Sequence, residues 1–578
     1  MVIRKRSGYV LGINCSYGTE GMGHDPSAAL LKDGRIVALA AEERFNRIKK
    51  SPGRFPLMSI RFCLQHAGIS LEEVDTIGWY SDPDWAVEIW KKGKHSSLRT
   101  VAHVIDDIMT QANLSITTSE VFTRKKRALK YLGNNFFRHF RLDDPPIQFI
   151  NHHLTHLASA YYASGFDEAL IVAWDSGGDL LSTMVGLGKG ENITILKKIP
   201  FSQMSMGALY KIFRRYVNLS DEGSLMGLAS YGRPEGILDF CVDIESLTIH
   251  WDKINRPVYY FGKELLDRLG PQRLPHEPIS SEHVQVAADV QDILERLAFK
   301  ILKEARDETG MNNLCLAGGV ALNATMNGKI ARSGMFGKIH VHPNAGDGGC
   351  ALGAAFMAYK RLGGKIINER LPHVYWGRGF TNEECRKIID AVGAEYKYYS
   401  DEQLPGVVAD LLIEQKIIGW FRGRSEWGPR ALGARSIIAD PRKKEMQDRV
   451  NDIIKYRDEW RPFAPSMLAE AAEEYLEDVF LSPFMLYTFK VKEDKKDFIP
   501  AVVHEDDTTR PQMVIREVNP VYYETIRLFG EKTGVPVILN TSFNVKGEPI
   551  VDSPVDAIKC FAGTGLDVLV LNNFILKK

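Results

Sequence analysis

Three apolar runs of this chain each end in a loop of glycine and aspartate, and that pattern restricts the fold more than any other feature of the sequence. Residues 169–174 lead into Asp175-Ser176-Gly177-Gly178-Asp179, Asn313–Ala317 into Gly318-Gly319-Val320, and Lys338–Val341 into a loop from His342 to Gly349 that contains Asp347. Short apolar runs bounded by such turns read as buried strands, the last one feeding a small-residue helix. In α/β sheets ligands gather at the carboxyl ends of strands, so the three tips should converge on one site. Tyr9–Asn14 is a further apolar run, and residues 27–31 and Arg35–Ala41 read as a hairpin about Asp33-Gly34. Residues 56–67 predict an amphipathic helix and residues 76–80 a strand, and a second strand set is expected to begin at Ile147. Strands and helices thus alternate as in an α/β protein.

A chain of 578 residues is too long for one core, because single cores stop growing at about 250–300 residues. Two large cores are expected. Gly363-Gly364, Pro372 and Gly377-Arg378-Gly379 interrupt the helical patterns and place a boundary near residue 370, giving domains 1–368 and 369–578. No internal repeat or long linker is evident, so the domains should pack rigidly, with a ligand at their junction. Lys plus Arg and Asp plus Glu both number 73, which leaves no bulk field to hold a polyanion and argues against nucleic acid as partner. The basic run Arg124-Lys125-Lys126-Arg127, inside the helix-forming stretch 91–141, reads as a solvated helix face. Seven scattered cysteines without a CxxC pair read as reduced thiols. No run approaches about 18 apolar residues and the start lacks a leader pattern, so a cytoplasmic location without membrane contact is expected.

His152 and His156 stand four apart in a helix-forming segment, which puts both imidazoles on one face and His153 off it. With Asp175 and Asp347 from two of the strand tips they form a nitrogen and oxygen donor set suited to Fe, Zn or Ni; the alternative is a capped helix with hydrogen-bonded core histidines. The glycine loops, with Ser205-Met206-Gly207 and residues 222–228, are candidates to surround a nucleotide, since backbone amides and helix N-termini accept phosphate. They serve equally as ordinary strand-to-helix turns. His24-Asp25, in a glycine-flanked loop, reads as a general base or a structural turn.

A second constellation follows residue 420. Arg430, Lys455, Arg457 and Arg461 concentrate cations around glycine and proline turns, which would form a pocket for a small phosphate; surface ion pairing is the alternative. Downstream, Thr509-Arg510-Pro511-Gln512 and Asn540-Thr541-Ser542-Phe543-Asn544 supply amide and hydroxyl groups, the latter after an apolar strand at residues 535–539. Such neutral donors can orient a carbamoyl amide or a phosphate oxygen, or simply form a turn network.

Taken in this order, the motifs resemble the O-carbamoyltransferase family that includes tobramycin carbamoyltransferase and the nodulation protein U type. The likeness covers nearly the whole chain and rests on His24-Asp25 with Ser27-Ala28-Ala29-Leu30, on Glu42-Glu43-Arg44-Phe45, and on residues 152–162, 318–327, 428–433, 461–466, 509–512 and 540–544. It implies an actin/sugar-kinase-type ATPase domain, similar to the ATPase of tRNA threonylcarbamoylation, followed by a YrdC-like α/β domain. It further implies that carbamoyl phosphate and ATP give a carbamoyl-adenylate in the second domain, which passes to the first, where an acceptor hydroxyl attacks. Carried over by motif, the metal ligands fall on His152, His156, Asp175 and Asp347, with Fe(II) as the family's usual ion and Mg2+ accompanying ATP. First-domain nucleotide contacts fall on Lys49, Ser205, Gly319 and Asn323. Arg430, Arg461, Arg510 and Asn540 match the second pocket, and Lys455, Arg457, Ser542 and Asn544 match the lysine-x-arginine and serine-x-asparagine signature of YrdC-like proteins. The implied catalytic groups are His24, Asp25 and Arg510.

The expected partner is a small-molecule hydroxyl acceptor, such as an antibiotic sugar, a macrolide, a toxin or a lipo-oligosaccharide, and a homodimer is a permitted assembly. The stretch 15–23 is longer and richer in glycine than the family's usual loop, and residues 80–145 carry no family motif, so acceptor choice should lie there. Two rival readings are a tRNA-modifying threonylcarbamoyl enzyme, against which the neutral charge argues, and a non-catalytic carbamoyl phosphate sensor, against which the full ligand set and cation cluster argue.

Overall fold

A computed structural model describes residues 7–15, 24–82, 146–256, 260–455 and 459–578. The basic stretch within 91–141, most of the glycine-rich loop 15–23, and Arg457 lie outside these described residues. The first sheet is built on β1 (Tyr9–Asn14), which pairs antiparallel with β2 (Ser27–Lys32), itself antiparallel to β3 (Arg35–Ala41). On its other side β1 pairs in parallel with β4 (Val74–Trp79), which pairs in parallel with β5 (Ile147–Phe149). The strand at Ile147 therefore completes the first sheet instead of opening a second, as the sequence had suggested. Helix α1 (His152–Tyr162) follows it directly.

The second sheet begins at β6 (Glu168–Gly178), continues antiparallel through β7 (Leu181–Lys189) and β8 (Asn192–Pro200), and gains β9 (Asn313–Ala317) and β10 (Lys338–Val341) in parallel on the far side of β6. Read from β8 to β10, its order repeats that of the first sheet from β3 to β5. The chain thus contains a duplicated unit that no sequence repeat betrays, because the repeat lies in strand order and polarity rather than in residue identity. This duplicated α/β arrangement is of the actin and sugar-kinase type. In the second half α2 (Met206–Tyr216), α3 (Glu222–Ala229) and α4 (Ser281–Thr309) fall between β8 and β9, α5 (Ala324–Arg332) falls between β9 and β10, and α6 (Cys350–Arg361) follows β10. Helix α6 lies directly on the first sheet: a Cβ on Gly12 or Gly78 would collide with the backbone carbonyls of Ala351 or Ala354.

The second α/β unit is an eight-stranded mixed sheet. Its strands are β11 (Lys397–Tyr398), β12 (Ile418–Phe421), β13 (Arg435–Ala439), β14 (Ala464–Leu468), β15 (Gln512–Val514), β16 (Val537–Ser542), β17 (Val568–Leu571) and β18 (Phe574–Lys577), in the order β11-β18-β17-β12-β13-β16-β14-β15. One apolar cluster holds residues of the second sheet, such as Leu170 and Leu316, together with Phe463, Tyr487 and Leu539 of the C-terminal unit. Polar contacts seal the same seam, with Asn327 Nδ2 donating to Leu486 O at 2.9 Å and Tyr487 OH to Ile339 O at 3.2 Å. All seven cysteines are free and buried. No helix among the described residues is long and apolar enough to cross a membrane.

Candidate functional site

The duplicated fold brings together the helices that follow the last strand of each half. Helix α1 starts at His152, capped by the Asn151 side chain, which accepts from Leu154 N at 3.2 Å. Its first turn is fixed by Asp179, whose Oδ2 accepts from His152 N at 2.7 Å and Asp82 N at 3.0 Å. Helix α6 begins at Cys350, three residues after Asp347. The two helices touch at their backbones, since a Cβ on Gly353 would collide with the carbonyl of Thr155.

At this meeting point the four ligands expected from the sequence come together. His152 Nε2 lies 3.4 Å from Asp175 Oδ2 and 3.9 Å from Asp347 Oδ1, and His156 Nε2 lies 3.6 and 3.7 Å from the same atoms. Two donors on one ion at about 2.1 Å stand roughly 3.0–3.5 Å apart, so these spacings suit a shared divalent cation after a small contraction. A buried group of imidazole and carboxylate donors is costly without compensation. Burial disfavours the charged forms of both His156 and Asp175. Even so, Cys350 and the two carboxylates hold His156 well above the usual imidazole range, and the two imidazoles hold Asp175 well below the carboxylate range. A divalent ion would replace those protons as the balancing charge, and the donor set fits one. Asp175 is not at a strand tip: β6 runs on to Gly178, and its register with β7 slips between Trp174 and Gly178, so the carboxylate stands in a bulge. His153 is fully buried with neither ring nitrogen hydrogen-bonded, and burial pushes it down to about 3.

His24 joins this cluster from the first sheet. Its Nδ1 lies 2.8 Å from Asp25 Oδ2 and 3.8 Å from Asp347 Oδ2. Burial pulls its pKa down, but Asp347 and Asp25 outweigh that and push it up to about 9. Asn14, at the end of β1, ties the two loops: its Nδ2 donates to Asp25 O and Asp347 O, both at 2.8 Å. Around the cluster, Ser205 caps α2 and donates to Ser176 O at 2.7 Å, and Gly319 lies against Asp175, its would-be Cβ 2.9 Å from Oδ1. Asn323 caps α5 and donates to Gln291 Oε1 at 2.8 Å. Lys49 is exposed and adds to the positive field at Asp221. Sequence reasoning missed Cys350, whose Sγ is 3.4 Å from His156 Nε2, and Lys211, whose Nζ donates to Ser176 Oγ at 2.7 Å. The position of Cys350, three residues after Asp347, was a usable signal; for Lys211 none was present.

The second constellation also assembles. Lys455 closes a helical turn, not the loop expected, and its buried Nζ donates to Ser542 O, to Ser542 Oγ at 3.3 Å, and to Asn544 O and Oδ1 at 3.0 Å. The lysine and the serine-x-asparagine segment therefore meet as the motif required. Asn540 is buried under the Arg430 loop, donating to Ala431 O at 3.1 Å and Ser466 Oγ at 2.9 Å. Arg430 reaches Leu322 O at 3.4 Å with its buried Nε unpaired, and burial, reinforced by Arg461, pulls it down to about 10. Arg461 Nη1 pairs with Asp221 Oδ2 at 2.6 Å, joining the C-terminal unit to the start of α3. Arg510 donates to Met485 O at 3.3 Å. Glu426 shapes the Arg430 loop from below, its Oε1 accepting from Leu432 N at 2.7 Å and Ala434 N at 2.8 Å. The neighbouring Trp427 inserts into the apolar cluster of the first sheet, edge-on to His342 at 5.4 Å.

The description "Carbamoyltransferase N-terminus" matches residues 11–356 and "Carbamoyltransferase C-terminus" residues 409–578. The chain belongs to the carbamoyltransferase family and is a carbamoyltransferase enzyme. It is 38% identical to nodulation protein NolNO of Sinorhizobium fredii over 96% of this chain and 79% of that one. It is 41% identical to nodulation protein NolO of Bradyrhizobium diazoefficiens over 74% and 79%, and 39% identical to an uncharacterized Synechocystis protein over 99% and 97%. Among solved structures, HypF of T. kodakarensis aligns over 63% of this chain at 16% identity with a TM-score of 0.31.

Proposed function

We propose that this carbamoyltransferase is ATP-dependent and carbamoylates a hydroxyl group of a small metabolite through a carbamoyl-adenylate. The observation that carries the reading is the pairing, within one packed chain, of a cation-hungry cluster at His156 with a buried cation pocket at Lys455. The second unit, residues 369–578, takes carbamoyl phosphate and ATP. Water attacks the carbamoyl carbon and phosphate leaves, giving carbamate, a carbamate oxygen of which then attacks the α-phosphorus of ATP and displaces pyrophosphate. Lys455, fixed by Ser542 and Asn544, together with Arg430, Arg461 and Arg510, binds and orients the phosphates and offsets their charge. Asn540 and Ser466 hold the loop that presents Arg430.

The first unit, residues 1–368, receives the adenylate against Lys49, Ser205, Gly319 and Asn323. The acceptor oxygen bonds to the carbamoyl carbon, the bond to the adenylate oxygen breaks, and AMP leaves. His24, its Nδ1 held by Asp25, takes the hydroxyl proton at Nε2 in its neutral form, which the carboxylates of Asp347 and Asp25 disfavour below about pH 9. His152, His156, Asp175 and Asp347 would hold Fe(II), which when bound supplies a Lewis acid that stabilises developing negative charge. Mg2+ accompanies ATP, and the cytoplasm supplies both co-substrates.

The test is incubation of the purified protein with carbamoyl phosphate, ATP and Fe(II), with mass spectrometry for carbamoyl-adenylate and pyrophosphate. Intermediate formed by the native protein and lost in Arg510→Ala supports the reading. No intermediate from either, with candidate hydroxyl acceptors present, overturns it.

A further inference from the structure

The cluster at the α1–α6 junction holds one donor that the imidazole and carboxylate set does not account for. Cys350 is fully buried, and its Sγ lies 3.4 Å from His156 Nε2, the same nitrogen that faces Asp175 and Asp347. Ligand atoms of His152, His156, Asp347 and Cys350 all fall within 4.8 Å of one another. We infer that Cys350 is a sulfur ligand of the metal held by this cluster, which makes the site a mixed nitrogen, oxygen and sulfur site.

The fold enforces this position. Asp347 and Cys350 flank a single tight turn formed by Asp347–Gly349, so both side chains enter the cluster from one element. A Cβ on Gly349 would collide with Asn344 O, which keeps that turn closed. The contact between Gly353 and Thr155 then presses the first turn of α6 against the first turn of α1, and that is what sets sulfur against imidazole. Metal–sulfur and metal–nitrogen bonds of about 2.3 and 2.1 Å put the two donors roughly 3.5 Å apart at a tetrahedral angle, close to the observed spacing. On binding, the thiol proton leaves to solvent as the metal–sulfur bond forms. The consequence is selectivity. A sulfur donor favours Fe(II), Co(II) or Zn(II) over Mg2+ and Mn2+, which the carboxylates alone would not reject.

The inference rests on the metal reading above, and Co(II) separates the two. The full-length protein, stripped of metal and loaded with Co(II), should show visible ligand-field bands and an intense near-ultraviolet sulfur-to-cobalt band that excess Mg2+ does not remove. Cys350→Ser and Cys350→Ala should lose the near-ultraviolet band and bind Co(II) at least about tenfold more weakly. Visible bands without the near-ultraviolet band in the native protein overturn the sulfur ligand while leaving the metal site standing, as does a band that survives in both variants. No cobalt spectrum at all overturns the sulfur ligand and the metal set together. Carbamoyl-adenylate assayed on the same samples reports on the proposed reaction alone: its absence beside an intact cobalt–sulfur band overturns the reaction and leaves the ligand assignment in place.

Discussion

The cluster around His156 and the pocket around Lys455 are both buried and both charged, yet they are balanced in opposite ways. Around His156, ionisable groups face one another, and the imidazoles and carboxylates shift each other's protonation strongly. Lys455 instead donates to four oxygens of Ser542 and Asn544, none of which carries a charge. These oxygens fix its ammonium at the pocket, where a cation attracts an anion, while the first cluster calls for a cation. The comparison is the ground for the proposed division of metal chemistry to the duplicated unit and phosphate chemistry to the C-terminal one.

The sharpest break would come from His156→Ala. Carbamoyl transfer to acceptor should fall by at least about a hundredfold while carbamoyl-adenylate formation persists; loss of both in the same kinetic assays would mean that the two regions are not separable. In the reverse direction, Lys455→Met should lower adenylate formation by about tenfold to a hundredfold, the worth of a charged hydrogen-bonding partner at about 1.5–3 kcal/mol, with the metal content by atomic absorption unchanged. Gly353→Ala should cost about 1–3 kcal/mol in denaturant unfolding and lower metal content, because the added methyl drives α6 from α1.

The smallest effect belongs to the ion pair that joins the regions. Asp221 is pushed up by burial but pulled further down by Arg461, so its folded pKa lies below the ordinary value. That stabilisation is present above the unfolded carboxylate pKa and lost as pH falls through the lower folded one. The stability gap between the native protein and Asp221→Asn should therefore be up to about 1 kcal/mol, flat from pH 8 to 6, and should close below about pH 4.

Much of this was legible in the sequence where local pattern decides. The period of four that joins His152 to His156, the turn at Asp33-Gly34 and the apolar strand ahead of Gly318 all stand where expected, whereas the strand expected at 535–539 runs from Val537 to Ser542 and takes in Asn540. What escaped was set by pairing between distant segments. Ile147 looks like the start of a new sheet until β4 is placed beside it, and the duplication shows only in strand order. Asp175 resembles a strand end because its bulge depends on β7. Cys350 stands three residues after Asp347, but its contact with an imidazole depends on the approach of α1 to α6.

Trp427 illustrates the same dependence at larger scale. Its indole belongs to the C-terminal part of the sequence yet completes the interior of the first sheet, and Trp427 N donates to Val374 O at 2.7 Å on the way in. During synthesis the leading half of the chain therefore emerges with a gap in its interior that faces water until the ribosome has made the rest. Dividing the gene near residue 370 would give one product lacking part of its own interior and another carrying that part exposed.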